Sequence, residues 1–193
     1  MKKKKIIIFL LIIFLSDSLL FASSNLKELG IFTGRGRANL DKKDDYKLIP
    51  VGLRLGFDLK PLVEKIKIKN RPLIKVKGLL EFVLEPYLAY IYSPQDNFEC
   101  GCGMLFKYGY RLGNFLPFID AGTGLQYTTQ HTNEEATQWC FQVQGGAGFY
   151  YFFKKNKAIS FEYRFRHFSN ASTKAPNKGV DVHNFLVGLS CFF

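Results

Sequence analysis

Apolar and polar residues alternate with a period of two along most of this chain, which is the pattern of strands carrying one apolar and one polar face. Read in steps of two, the sequence predicts eight strands, near 29–34, 51–59, 79–92, 98–110, 117–127, 141–153, 159–169 and 182–193. The second sets Val51, Leu53, Leu55 and Phe57 against Gly52, Arg54, Gly56 and Asp58. The seventh sets Ile159, Phe161, Tyr163 and Phe165 against Ser160, Glu162, Arg164 and Arg166. In the eighth, Phe185, Val187 and Leu189 oppose Asn184, Gly188 and Ser190.

Two architectures compete for such a pattern. A soluble sandwich or lipocalin-like barrel turns the apolar face inward. An outer-membrane barrel inverts the polarity, with aromatics toward lipid and a polar interior dotted with small residues. Segments of about ten residues match the membrane-spanning case. On the polar face, Arg54, Asp58, Glu81, Glu85, Lys107, Glu162, Arg164 and Arg166 carry both signs and can pair inside a narrow lumen. The chain is rich in aromatics, with 20 Phe and 10 Tyr, and its last residue is Phe193. An aromatic last residue resembles the assembly signal of outer-membrane barrels. The expected fold is therefore all-β, an eight-stranded antiparallel transmembrane barrel.

The N-terminus agrees with export. Lys2 to Lys5 precede a short apolar run, Ile6 to Leu15, and a small-residue zone follows. That is a secretory signal peptide of residues 1–22, with cleavage after Ala22 or after Ser24, and the run is short for a membrane anchor. Residues 23–193 then form one barrel domain. Losing four lysines and Asp17 lowers the formal charge from +11 to +8. A basic exported chain suits anionic lipid headgroups, and export argues against a nucleic-acid partner. Cys100, Cys102, Cys140 and Cys191 read as structural residues whose pairing is open, since a Cys-x-Cys pair on one strand bridges only with strain.

Candidate chemistry sits at the end of the seventh strand. His167 and Ser169 continue the stripe of Ile159 to Phe165 on the same face, and Asp181 follows after one loop with the parity of Phe185 and Val187. A hydroxyl is a weak nucleophile until an imidazole accepts its proton, and a carboxylate orients that imidazole. Polar residues extending a lipid-facing stripe carry a desolvation cost, which argues against mere rim decoration. Asn170 and Asn177, with loop N–H groups, supply donors for an oxyanion or support for the loop. His131 and His183 read as rim or loop residues, and Glu162 as a lumen partner for Arg164 or Arg166. An exported barrel begins in the periplasm, so strand parity puts His167 and Ser169 near the outer rim and residues 170–180 in an extracellular loop.

The stretch Arg166-His167-Phe168-Ser169-Asn170-Ala171, followed by Lys174 to Asp181, resembles the signature of the lipid A 3-O-deacylase family (PagL-type acyloxyacyl hydrolases). The resemblance covers about the last 30 residues and implies an outer-membrane serine esterase that removes the 3-O-linked acyl chain of lipid A in lipopolysaccharide. It implies His167, Ser169 and Asp181 as catalytic residues, Asn170 and Asn177 in the oxyanion hole or the loop, and no metal or cofactor. Asp181 stands where the family usually has glutamate, and Ser172 where a glycine is expected. Other readings remain: a non-enzymatic barrel serving adhesion or structure, or a triad esterase or acyltransferase acting on phospholipid. A homodimer is one assembly open to the chain.

Overall fold

The computed structural model describes residues 25–40, 45–65, 67–68, 71–72 and 76–193. The expected signal peptide and both cleavage positions lie outside them. Eight long strands close into a barrel: β1 (Leu26–Asn39), β2 (Asp45–Asp58), β5 (Leu79–Ser93), β6 (Asn97–Gly109), β7 (Phe115–Thr128), β8 (Trp139–Lys154), β9 (Lys157–Ser169) and β10 (Val180–Phe192). Every neighbouring pair is antiparallel, and β10 pairs with β1 to close the circle. Between β2 and β5 lie one helical turn, α1 (Lys60–Val63), and a small ribbon of β3 (Lys67–Ile68) and β4 (Arg71–Pro72). Sequence reading assigned nothing there.

The polarity is inverted, as expected of a barrel whose outside faces lipid. Phe161, Phe165, Phe185 and Leu189 are exposed, whereas Glu162, Arg164, Asn184 and Ser190 are buried inside. Outward aromatics cluster toward both ends of the wall. Tyr90–Phe98 and Tyr127–Trp139 meet as tilted pairs near one rim, with ring centroids 5.6 and 5.2 Å apart. Phe82–Phe106 and Phe115–Tyr151 lie near the other, at 5.6 and 5.1 Å. Two aromatic girdles are where amphipathic rings favour the two membrane–water boundaries.

The interior is layered rather than uniformly polar. A belt of charges crosses its middle: Arg54 Nε meets Glu85 Oε1 at 2.7 Å and Arg54 Nη2 meets Glu162 Oε2 at 2.8 Å, while Arg164 bonds both Glu85 and Glu162. Mutual pairing offsets the large cost of burying these groups. Above the belt lies an apolar cluster that includes Tyr46, Leu48, Ile91, Phe168, Val180 and Val182. Below it, Leu116, Phe118, Tyr150, Phe152 and Ala158 form a second. The lumen is therefore filled with side chains, as eight strands require.

The strands run longer than the alternation suggested, most of all in the first hairpin. β1 continues to Asn39 and β2 begins at Asp45, well beyond the predicted 29–34 and 51–59. The reason is local: the outward stripe Leu29, Ile31 changes to Arg35 and Arg37, and that of β2 starts with Asp45 and Lys47. The period of two persists, but its sense reverses: charges take the outer face while Ala38, Tyr46 and Leu48 turn inward to the upper apolar cluster. All four cysteines are free thiols.

Candidate active site

The end of β9 is held from inside. Phe168, between His167 and Ser169, points into the upper apolar cluster, and Val180 and Val182 do the same on either side of Asp181. Pleating then forces His167, Ser169 and Asp181 onto the outer wall. His167 and Asp181 are directly opposite one another in the β9–β10 register. The imidazole Nδ1 and the Asp181 Oδ1 are 2.6 Å apart, with 40% and 60% of the two side chains accessible. A directly opposed pair has its Cβ atoms only about 5 Å apart, so the short aspartate reaches the ring without a further methylene.

On the other side, His167 pairs with Val143 and Ser169 with Phe141 of β8. Both partners are exposed, which makes an apolar shelf beside the polar pair. With Nδ1 engaged by the carboxylate, Nε2 is the nitrogen left to serve as a base. The Ser169 hydroxyl is on the same face, two residues on, and makes no hydrogen bond to the ring in this conformation. Such contacts commonly tighten only when substrate is present.

The loop after β9 is clamped by Asn170 and Asn177, for which sequence reading had left loop support and oxyanion stabilisation unseparated. Asn170 is 1% exposed. Its Nδ2 donates to the carbonyls of Lys174 (2.8 Å) and Pro176 (3.2 Å), which commits that amide to the loop. Asn177 Oδ1 accepts from the backbone N of Asn170 at 2.8 Å, and its Nδ2 donates to Ser172 Oγ at 3.1 Å. Ser172 and its neighbour Ala171 adopt φ of 61° and 54°, the left-handed region where glycine costs least. That conformation explains why a glycine is expected at Ser172.

Glu135 was missed. It lies in the segment between β7 and β8, where no periodicity marks it. Its carboxylate accepts from the backbone N of Asn170 (Oε2, 2.9 Å) and of Gly179 (Oε1, 2.8 Å), the two ends of the loop that joins β9 to β10. Burial pushes its carboxyl above the usual range, opposed by those two amides and by the nearby His167. Backbone bonds from Ala136 to Pro176 (3.0 Å) and from Lys178 to Glu134 (2.9 Å) tie the two segments further. His183 is on the outer face of β10, 2.7 Å from the Tyr163 hydroxyl, and His131 is exposed in the β7–β8 segment.

Gly179 packs against the imidazole. Its φ is +75°, and a Cβ there would stand 2.2 Å from His167 Cε1 and 2.8 Å from Nε2. Gly179→Ala is therefore expected to displace the ring and lower turnover by about a hundredfold, the scale of an ångström's misplacement. Circular dichroism of the folded barrel should not change. Turnover within threefold of wild type would show that the ring tolerates the methyl.

The profile of one family, lipid A 3-O-deacylase (PagL), matches residues 51–190, which takes in five barrel strands whole, most of two more and all the residues just described. The chain belongs to the lipid A 3-O-deacylase family. Membership makes an ester hydrolase of the bacterial outer membrane the general reading of this barrel. Among solved structures, the outer membrane enzyme PagL is similar at 17% identity, covering 83% of this chain and 97% of its own, with a TM-score of 0.59. Neisserial surface protein A is similar at 14% identity over 86% and 96%, with a TM-score of 0.62. The N-terminal β-barrel domain of Pseudomonas aeruginosa OprF gives 14%, 86%, 98% and 0.50. A search of curated proteins returned no significant match. One of these barrels is described as an enzyme and the others are not, so the fold is common ground and the deacylase family is distinguished by its site.

Proposed function

We propose that this deacylase hydrolyses the 3-O-acyl ester of lipid A with Ser169 as nucleophile, His167 as general base and acid, and Asp181 as the carboxylate that orients the ring. The observation that carries this reading is the 2.6 Å contact of His167 Nδ1 with Asp181, directly across two strands, on the apolar outer wall and beside Ser169. An esterase of soluble substrates has no reason to turn its base toward lipid.

The hydroxyl oxygen of Ser169 attacks the ester carbonyl while its proton passes to His167 Nε2. The resulting imidazolium is stabilised by Asp181. Asn177, whose Nδ2 keeps one N–H beyond its bond to Ser172 Oγ, and loop backbone N–H groups other than those bound to Glu135 are the donors for the oxyanion, since both N–H of the Asn170 amide are engaged. The intermediate collapses as His167 returns the proton to the departing sugar 3-oxygen. Water, deprotonated by His167, then cleaves the acyl-serine and releases the fatty acid. Phe141 and Val143 offer the departing chain an apolar surface. By strand parity from an exported N-terminus, the site faces the outer leaflet.

Mass spectrometry of lipid A from cells with and without the protein tests this. The expected result is lipid A lighter by one 3-O-linked acyl chain, with the matching free fatty acid, and no change with Ser169→Ala. Unaltered lipid A alongside cleaved phospholipid would move the activity to another substrate. Unaltered lipids of both kinds would leave a non-enzymatic barrel.

A further inference from the structure

Beside the candidate active site, the charged outer face of the first hairpin forms a second feature. Arg35 and Arg37 on β1 and Lys47 on β2 face outward, and with Tyr92, His183 and Asp181 they line a recess of about 720 Å³ on the outer wall. The register fixes its position. Arg37 is opposite His183 on one side and Lys47 on the other, so one row across the wall reads Phe165, His183, Arg37, Lys47. The row above it begins with His167 and Asp181. Asp181 thus belongs both to the recess and to the pair with His167, and the cations stand one to two strands beyond it, roughly 10–14 Å from β9 at ordinary strand spacing.

The charge is unbalanced. Arg37 Nη2 and Lys47 Nζ share one carboxylate, Asp45 Oδ2, at 3.0 and 2.9 Å. Among the described residues, no carboxylate pairs with Arg35. Cations on the lipid-facing wall of a barrel are costly unless they lie near the interface and meet an anion there. Guanidinium groups match phosphate oxygens in a bidentate geometry that lysine alone does not provide. The deacylase's own substrate has a phosphorylated glucosamine headgroup in that boundary layer.

We propose that Arg35, Arg37 and Lys47 bind a phosphate monoester of the lipid A headgroup and so select phosphorylated lipid A as the substrate. This assignment rests on the deacylase reading and adds to it a specificity site outside the triad. It separates the enzyme's selection of substrate, made by charge on β1 and β2, from its chemistry, made on β9 and β10.

The test uses the purified full chain in detergent, with bisphosphorylated lipid A and the same lipid A after enzymatic dephosphorylation. Wild type is expected to favour the phosphorylated form in kcat/KM by about tenfold to a hundredfold, as charge-assisted hydrogen bonds provide, with the difference in KM rather than kcat. Arg35→Gln with Arg37→Gln should reduce that preference to less than threefold, and Arg35→Lys with Arg37→Lys should retain part of it. Equal kcat/KM of wild type on the two lipids, or an undiminished preference in the glutamine variant, would overturn the proposal. Equilibrium binding of both lipids to Ser169→Ala gives a readout independent of turnover. If wild type cleaves neither lipid but Ser169→Ala still prefers the phosphorylated one through the arginines, the esterase reading fails and the phosphate site stands. Millimolar inorganic phosphate should leave the wild-type KM unchanged. Inhibition by the free ion that lowers kcat without raising KM for the phosphorylated lipid, and that is absent from the glutamine variant, would assign the recess to free phosphate and overturn the headgroup site.

Discussion

Replacing Ser169 or His167 with alanine is expected to reduce ester hydrolysis by about ten-thousandfold or more, the scale seen when a nucleophile or base is deleted from a triad. Each residue acts only through the other, so the double variant should be no slower than either single one. The barrel should assemble normally. Both side chains lie on the outer wall, and the packing that holds this segment comes from Phe168, Val180 and Val182 on the inner face. Truncation outside the core opens no cavity. Fatty-acid release from solubilised lipid A measures the effect, and far-UV circular dichroism checks the fold. Near-wild-type turnover by either variant would remove the triad.

Asp181→Asn is expected to cost about ten-thousandfold in kcat while leaving the shape intact, because an amide can hold the wrong tautomer of the ring and does not stabilise the imidazolium. The same assay applies, and unchanged hydrolysis would require a His–Ser dyad or another acid. Glu135 is the acid near enough to consider, but its carboxylate is bound to the amides of Asn170 and Gly179. Asp181→Glu is expected to change the rate by less than tenfold. From the sequence the aspartate looked one methylene short of the family's acid. In the structure it is directly opposite His167 and already 2.6 Å from Nδ1, so a glutamate has no reach to restore and must fold back to make the same bond.

The eight strands were legible because a barrel wall separates two solvents, lipid outside and a packed lumen inside, and each strand records that boundary in every second residue. The same parity placed Phe161 and Phe185 outside and Glu162 and Arg164 inside, as found. It also put His167, Ser169 and Asp181 on one face, since parity survives any strand length. The signal reversed its sense where the outer face stopped being apolar. Arg35, Arg37 and Lys47 belong to long strands that the alternation ended early, and the recess they line was invisible for that reason.

By itself, then, the sequence determined which face each residue of a strand takes, because that depends only on the two-residue repeat of an extended backbone. It also determined that His167, Ser169 and Asp181 share one face, because His167 and Ser169 lie within one strand and Asp181 begins the next. The tertiary structure alone decided what depends on register and on contacts between loops. Closure of β1 on β10 brought Arg35 and Arg37 beside Asp181, across almost the whole length of the chain. Docking of the β7–β8 segment onto the loop after β9 brought in Glu135, whose bonds to Asn170 and Gly179 follow no periodicity. Parity is a local property of the backbone, whereas register between distant strands is chosen by the fit of the whole barrel.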